Sequence, residues 1–222
     1  MPRASRNTSD SVAPGVSMPF ARAGSDLDVF LAGQSVTLSA AAAGIEAHAT
    51  YAVASCPCDE RNLHFHIRRD DGDAFARLLF DGALATGSAV NLAGPIGEFV
   101  FLESERRLAF LACDTGFAPI KSLIEHAMAV DAAESLALGW LATRPDGHYL
   151  ANQCRAWAQA FDQFRYEPCT DADAAAGAIR LVEAMAAARP LAACDVYVAG
   201  PAPFVDSATA ALATIGVPAG QI

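Results

Sequence analysis

The sequence has few cations. Among its 222 residues, Asp and Glu number 25, whereas Lys and Arg number 15 and include a single lysine, Lys121, which gives a net charge of -10. Binding to nucleic-acid phosphates requires clustered Lys and Arg side chains, and the same excess of acids opposes attraction to a strongly acidic partner. The composition therefore excludes a nucleic-acid-binding protein.

The sequence also lacks a long hydrophobic run. No apolar segment approaches the roughly 20 residues that a helix needs to cross a bilayer. Residues 1–17 are polar and lack the cationic start and apolar centre of a signal peptide. With 53% hydrophobic residues, the chain can bury a full core and is long enough for two modest domains. We expect a soluble cytoplasmic protein that has no contact with a membrane.

The cysteine spacing excludes a metal cluster. The six cysteines, at positions 56, 58, 113, 154, 169 and 194, contain neither a CxxC pair nor the four-cysteine spacing of an iron-sulfur or zinc site. We expect reduced thiols, with Cys56-Pro57-Cys58 in an ordinary loop rather than in a disulfide. His64 and His66 flank Phe65 in an alternating pattern, but no third ligand is indicated nearby. We interpret both histidines as solvent-facing and predict no metal site.

The first half of the sequence is typical of β-structure. Residues 1–25 are rich in Ser, Ala, Pro, Gly and Arg without periodicity, which predicts a mobile N-terminal segment. Short segments of period two then alternate with Gly, Pro or Asp turns. They predict strands at 34–38, 50–55, 63–68, 89–92 and 99–102, with one short helix at 73–81. We expect residues 26–104 to form a small antiparallel β-barrel.

The pattern changes at Leu108 to apolar strands alternating with amphipathic helices. The predicted strands are 108–113, 135–142, 163–167 and 195–199, and the predicted helices are 117–129, 149–160, 172–188 and 203–214. This alternation is typical of a parallel sheet with helices on both faces. We therefore expect residues 105–222 to form an α/β domain, with any ligand at the carboxyl ends of its strands.

The most informative segment joins the first of these strands to the helix that follows. An apolar strand leads directly into Thr115-Gly116, then Pro119, then the helix. Gly116 has no Cβ to obstruct a phosphate, and a helix N-terminus directs unpaired N–H groups towards an anion. The segment predicts a dinucleotide site, although a plain strand-to-helix connection would carry the same glycine.

Four segments in order resemble the ferredoxin-NAD(P) reductase superfamily. They are FLAGQSVTL at 30–38, TYAVASCP at 50–57, AGPIGEF at 93–99 with CDTGFAPIKSL at 113–123, and VYVAGPAPFV at 196–205. The resemblance implies a flavin-binding barrel followed by an NAD(P)-binding domain. It also implies FAD and either NADH or NADPH as cofactors, since members bind flavin on the barrel and the nicotinamide nucleotide on the second domain.

The resemblance assigns candidate site residues by position. Tyr51 matches the tyrosine that packs on the flavin ring. The residues after it match a backbone stretch that runs beside the ring, and two residues of the short helix match a position near the flavin phosphate. The implied flavin residues are Tyr51, Ala52, Val53, Ala54, Ser55, Phe75 and Ala76. The implied NAD(P) residues are Asp114, Thr115, Gly116, Pro119, Arg144, Gly200 and Pro201. No residue is assigned as catalytic with certainty, because flavin and nicotinamide supply the chemistry of hydride transfer themselves.

Several positions depart from the family pattern. Ala49 and Ala52 stand where relatives have an arginine for the flavin phosphate and a serine, and Phe75-Ala76 replaces a phosphate-capping Ser or Thr. Ala199 replaces a cysteine, and the sequence ends at Ile222, where relatives usually continue to an acidic residue and a terminal aromatic. Each missing charge-assisted phosphate contact lowers flavin affinity by about 1.5 to 3 kcal/mol.

These observations predict an NAD(P)H-dependent flavin oxidoreductase module that passes electrons to an iron-sulfur, ferredoxin-like or other one-electron acceptor. The acceptor must lie on a separate chain or a further domain, because this sequence has no cluster-ligand spacing. One alternative is a non-catalytic, flavin-free binding or scaffold subunit that keeps the reductase fold. Another is a regulatory electron-transfer subunit whose cofactor is completed by a partner chain.

Overall fold

Residues 16–18, 30–59 and 62–222 are described by the computed structural model, and they divide into two units. The first unit combines the described residues up to Phe101 with the segment Lys121–His126. The second unit comprises Leu102–Ile120 and Ala127–Ile222. The division predicted from the sequence, at residues 104 and 105, stays a prediction. The assignment of Lys121–His126 to the first unit had no signal in the sequence pattern.

The first unit is built from antiparallel strands. These are β1 (Val16–Met18), β2 (Ser35–Ala42), β3 (Ile45–Ala52), β4 (Leu63–Phe65) and β5 (Asn91–Ile96). β2 lies between β3 and β5 in a three-stranded sheet, while β1 pairs with β4. Alternate residues of β2, Val36, Leu38 and Ala40, enter the core, as a strand with one buried face requires.

The observed strands differ from the predicted ones in several places. Residues 99–102 form no strand, and β4 ends at Phe65 instead of residue 68. β1 lies inside the segment predicted to be mobile, and the remainder of residues 1–25 lies outside the described residues. The antiparallel fold class is confirmed, but the strands described here form two sheets linked by a Val53–Phe65 bridge rather than one closed ring.

The predicted short helix is present as α1 (Ala74–Phe80). Asp73 caps its N-terminus, because an Asp73 carboxylate oxygen accepts a hydrogen bond from the backbone N of Ala76 at 2.9 Å. Phe75, Ala76, Leu78 and Leu79 are buried, as the helical spacing of the apolar residues predicts. The helix therefore covers the core of the first unit.

The second unit contains a parallel four-stranded sheet. Its strands are β6 (Arg107–Cys113), β7 (Leu136–Ala142), β8 (Phe164–Thr170) and β9 (Cys194–Ala199), in the order β8-β7-β6-β9. β7 is buried along its whole length, as a strand covered on both faces requires. The predicted parallel α/β fold is confirmed.

Three helices connect these strands, and a fourth follows β9. They are α2 (Phe117–Ala129), α3 (Ala151–Ala160), α4 (Ala174–Ala188) and α5 (Ala202–Thr214). α4 and α5 supply Leu181, Met185 and Leu212 to the core that contains Leu111 of β6. The chain passes from β6 to β7 and β8 on one side and then to β9 on the other, so the strand order reverses at β6. Ligands of open α/β sheets bind at the carboxyl ends of the strands at such a reversal.

The described residues were also compared with the requirements of a membrane span. Within them, no helix is both long enough and apolar enough to cross a bilayer.

Candidate functional site

The turn after β6 is fixed by Asp114. Residues Asp114–Gly116 form a single 3-10 turn that leads directly into α2, and Asp114 has a φ of 48°. Its carboxylate accepts hydrogen bonds from Thr143 N at 2.9 Å and Thr143 Oγ1 at 2.5 Å, and its carbonyl oxygen accepts one from Trp140 Nε1 at 3.1 Å. Asp114 therefore joins the carboxyl ends of β6 and β7, and its carboxylate is already paired within the protein.

The same turn lies against the end of β9. A Cβ on Gly116 would meet the backbone of Ala199 and would lie 2.7 Å from the Cα of Gly200. A Cβ on Gly200 would in turn lie 2.8 Å from the Cβ of Cys113. Both positions need glycine because two backbones meet there. The structure thus brings together Gly116 and Gly200, which the sequence predicted for one nucleotide site.

The remaining predicted NAD(P) residues lie around this contact. Thr115 and Pro119 are partly buried, Pro119 being the third residue of α2, where a missing N–H is tolerated. Arg144 is exposed in the loop after β7, and Pro201 is exposed immediately before α5. Their roles in nucleotide binding stay predictions.

Two residues of this region were missed from the sequence. Thr143 holds the Asp114 carboxylate, and a Cβ on Gly147 would lie 2.7 Å from an Asp114 carboxylate oxygen. Gly147 N also donates to the carbonyl oxygen of Arg144 at 3.0 Å, which bends the loop back. The available signal was a glycine five residues after a buried strand, in a loop that also carries Arg144.

An aromatic cluster supports the start of α2. The rings of Phe117 and Trp140 stack at a centroid distance of 4.0 Å, and Tyr149 lies edge-on to Trp140 at 5.2 Å. Burial raises the pKa of Tyr149, with further contributions from Cys154 and Asp114. Trp140 is fully buried in this cluster.

In the first unit, Tyr51 is tied to α1. Its hydroxyl donates to the second carboxylate oxygen of Asp73 at 2.5 Å, and its ring lies 5.8 Å from that of Phe75. The pKa of Tyr51 is raised by burial first, and then by the hydrogen bond to Asp73 and its negative charge. The side chain of Tyr51 is only partly buried, and so is that of Ala52.

The other predicted flavin residues are enclosed. Val53, Ala54, Phe75 and Ala76 have no exposed surface, and Ser55 is 2% exposed. Phe75 and Ala76 belong to the core of the first unit, and their role in flavin binding stays a prediction. The resemblance gave positions and not the packing of an apolar replacement.

The backbone beside Tyr51 is bonded to α2. Lys121 Nζ donates to the carbonyl oxygen of Ala54 at 3.1 Å, and Ser122 Oγ donates to that of Ser55 at 2.7 Å. Lys121 is buried and forms an ion pair with Glu125 at 2.6 Å. The Lys121 ammonium group is therefore bonded within the protein rather than solvated.

The cysteines differ from expectation in one pair. Cys56 and Cys58 form a disulfide, which corrects the prediction of reduced thiols in an ordinary loop. Cys113, Cys154, Cys169 and Cys194 are not joined in disulfides.

The two histidines of β4 and its end, His64 and His66, are partly buried rather than solvent-facing. Burial lowers the pKa of both, and the charge of Lys121 lowers both further. In the described ranges, no three His, Cys, Asp or Glu side chains form a group suited to a metal ion.

Comparison with protein families assigns most of the second unit. Residues 110–210 match the oxidoreductase NAD-binding domain. This range begins within β6 and ends within α5, so it contains both the Asp114–Gly116 turn and Gly200.

Curated relatives match over longer or shorter parts of the chain. Protein RfbI of Salmonella typhimurium is 30% identical over 125 residues, 56% of this chain and 37% of that protein. The propane 2-monooxygenase reductase component of Rhodococcus jostii is 25% identical over 189 residues, 81% of this chain and 51% of that protein. The chain thus spans between about a third and half of the length of these relatives.

Solved structures share the fold of the whole chain. The cytochrome P450 reductase GcoB of Amycolatopsis matches with a TM-score of 0.80 at 22% identity, covering all of this chain and 68% of that one. The flavohem-like FAD/NAD binding domain of nitric oxide dioxygenase from Vibrio cholerae matches at 0.76 and 17% identity, covering 98% and 93%. The chain therefore contains an oxidoreductase NAD-binding domain at residues 110–210 and shares the fold of these solved structures.

Proposed function

We propose that the chain is an NAD(P)H-dependent flavin oxidoreductase module that passes electrons through FAD to a ferredoxin-like or other one-electron acceptor. The observation that carries the proposal is the contact of the Gly116 turn with Gly200 at the strand reversal, inside the NAD-binding match. Similar proteins include reductase components of propane 2-monooxygenase and terephthalate 1,2-dioxygenase. A cytoplasmic location and a separate redox partner are parts of this proposal.

The nicotinamide nucleotide is assigned to the second unit. Thr115, Gly116 and the first N–H groups of α2 would hold the pyrophosphate, because a helix N-terminus favours an anion. Arg144 would contact the adenosine ribose or its phosphate, since it is exposed and follows Thr143, which Asp114 holds. Gly200 and Pro201 would lie beside the nicotinamide.

The flavin is assigned to the first unit, and its two parts fit differently. Tyr51 and Ala52 are the accessible residues of the predicted stretch and fit a flavin ring, which an aromatic side chain and a small neighbour can accommodate. The phosphate end has no cation at Ala49, and the Asp73 carboxylate occupies the N-terminus of α1. When bound, the flavin would accept a hydride and release electrons singly, while the protein residues bind and orient it.

A flavin-free binding subunit is the second candidate, and the Tyr51–Asp73 hydrogen bond favours it. That bond gives the Tyr51 hydroxyl and Asp73 Oδ2 partners within the protein, while Asp73 Oδ1 accepts from Ala76 N. A carboxylate near a flavin phosphate is also repulsive. The two candidate functions therefore predict opposite outcomes for flavin binding.

The deciding experiment is the visible absorption spectrum of the purified protein. It is recorded before and after addition of excess FAD, and again after NADH or NADPH is added under anaerobic conditions. We expect flavin bands that bleach with one nicotinamide nucleotide, which would identify the electron donor. A protein that stays colourless and does not retain added flavin would overturn the proposal in favour of the flavin-free subunit.

A further inference from the structure

The loop after β3 is held by consecutive contacts from one helix segment. Lys121 and Ser122 of α2 bond to the carbonyl oxygens of Ala54 and Ser55, as described above. One turn further along α2, His126 Nδ1 lies 4.0 Å from the Sγ of Cys56. Three neighbouring residues of the loop thus each have a partner on α2, and the third partner is an imidazole against a sulfur atom.

The position of His126 is itself fixed. Its ring packs edge-on against Phe101 at a centroid distance of 5.4 Å. A histidine that donates a ring N–H to a sulfur atom, above all as the imidazolium, stabilises the thiolate form of a cysteine. The His126 ring is therefore placed to stabilise a negative charge on Cys56 when the bond to Cys58 opens.

The two sulfur atoms of the disulfide differ in access. Cys56 is 4% exposed, whereas Cys58 is exposed, and the Cys58 backbone N donates to Cys56 Sγ at 3.1 Å. An exposed sulfur can be attacked by an external thiolate, and the buried sulfur is then the leaving group. The backbone N–H and the imidazole both face that leaving sulfur.

The bond has little value as a structural cross-link. A disulfide stabilises a fold mainly by restricting the unfolded chain, and this effect grows with the length of the closed loop. Here only Pro57 lies between the two cysteines, and hydrogen bonds from α2 already hold the residues that precede them. Exposed disulfides are also the ones that exchange readily.

We propose that Cys56 and Cys58 form a redox-active pair that exchanges with a dithiol, with His126 stabilising the Cys56 thiolate. A thiolate of the dithiol attacks Cys58 Sγ and forms a mixed disulfide, while the Cys56–Cys58 bond breaks and its electron pair leaves on Cys56 Sγ. The second thiol of the reductant then attacks the reductant's sulfur atom in the mixed disulfide, which releases Cys58 as a thiolate. The pair gains two electrons and two protons, and the dithiol becomes a disulfide.

Other charged groups surround the loop and enter its pH dependence. Lys121 and Glu125 lie on α2, His64 lies on β4, and Asp59 follows Cys58 in the chain. Lys121 and Glu125 are paired with each other, so their charges largely cancel. We therefore assign the main effect on Cys56 to His126, the group that touches its sulfur.

The first experiment measures the exchange itself in the full chain. The protein is equilibrated with mixtures of reduced and oxidised dithiothreitol, alkylated without denaturant, and mapped by peptide mass spectrometry. We expect exposed Cys58 to be labelled under reducing mixtures and protected again after reoxidation, while buried Cys113, Cys154 and Cys194 stay unlabelled. Free thiols at 56 and 58 after oxidation, or a bond that opens only on unfolding, would overturn the proposal.

The second experiment measures the role of His126. In Cys58→Ser the Cys56 thiol is left single, and its alkylation rate is followed against pH. We expect Cys58→Ser with His126→Asn to react about tenfold more slowly near neutral pH, because the thiolate loses its partner. Cys58→Ser with His48→Asn, which removes an exposed histidine of β3, should match Cys58→Ser alone. Equal rates in all three variants would exclude His126 from the pair. Neither experiment involves flavin or NAD(P)H, so a negative result in either one does not bear on the proposed reductase activity.

Discussion

The Asp114 carboxylate receives both hydrogen bonds that Thr143 donates to it, from the backbone N and from Oγ1. Asp114 adopts a φ of 48°, in the left-handed region where a side chain is disfavoured and glycine is not. Asp114 thus adopts a backbone conformation that glycine would adopt more easily. Its paired carboxylate compensates for this cost, since it joins the ends of two adjacent strands at the proposed nucleotide site.

Two substitutions at Asp114 separate these effects. Asp114→Ala loses both hydrogen bonds and keeps the unfavourable φ, so we expect the free energy of unfolding in urea to fall by about 2–4 kcal/mol. Asp114→Gly loses the same bonds but relieves the backbone, so its loss should be about 1 kcal/mol smaller. Equal losses in the two variants would show that the left-handed φ is not a significant cost.

Gly116→Ala tests the contact between the two loops of the second unit. The added Cβ points to the backbone of Ala199, not into open space, so the variant should lose NAD(P)H affinity because the Gly200 loop is displaced. Nucleotide titration checks the affinity, and urea unfolding checks the stability. Gly220→Ala is the matched control, since a Cβ there meets nothing within 4 Å. Unchanged affinity in Gly116→Ala would remove this contact from the site.

Alkaline pH should destabilise the protein through its tyrosines. Burial is the first cause of a raised pKa at each of the four, Tyr51, Tyr149, Tyr166 and Tyr197. The folded state therefore keeps phenol protons that the unfolded chain releases near pH 10, so stability falls as the pH rises above about 10. Unfolding free energies measured across this range should fall less steeply in Tyr51→Phe. The same slope in both proteins would contradict the assignment to Tyr51.

Tyr166→Phe should not destabilise the protein. Among the described residues, the buried Tyr166 hydroxyl has no hydrogen-bond partner, and its removal eliminates an unsatisfied polar atom. We expect an unchanged or higher free energy of unfolding, by up to about 1 kcal/mol. Tyr197→Phe is the contrast, because the Tyr197 hydroxyl accepts a hydrogen bond from Leu102 N at 3.0 Å. A larger loss in Tyr166→Phe than in Tyr197→Phe would contradict this reasoning.

The α/β half of the fold was predictable because its signals are local and strong. The predicted helix 117–129 matches α2 residue for residue, since the turn glycine sets its start and the apolar period sets its length. The antiparallel half was harder to predict. Ala40–Ala42, Ala47 and Ala49 lack the bulky β-branched side chains that mark strands, so β2 and β3 were underestimated at the turn that joins them.

The sequence identified candidate positions for the site but not the contacts between them. The sequence identified Gly116 and Gly200, yet their contact depends on how two distant strands align. The partners of Asp114 and Tyr51 lie 29 and 22 residues away, where no periodic pattern links them. Short-range spacing also failed at Cys56 and Cys58, because the backbone of one loop decides whether two sulfur atoms meet.

Arg144 tests whether the second unit distinguishes the two nicotinamide nucleotides. Its side chain is exposed, and the residue before it is held by Asp114, so the loop is fixed while the guanidinium can reach a ligand. If that group binds a 2′-phosphate, Arg144→Ala should weaken NADPH about tenfold or more and leave NADH nearly unchanged, since one charge-assisted contact is lost. Arg155→Ala removes an equal charge from the exposed surface of α3 and should change neither affinity. Binding titrations of both nucleotides against the three proteins decide the question. An equal loss for NADH and NADPH would place Arg144 against the shared part of the nucleotide, and no loss would remove it from the site.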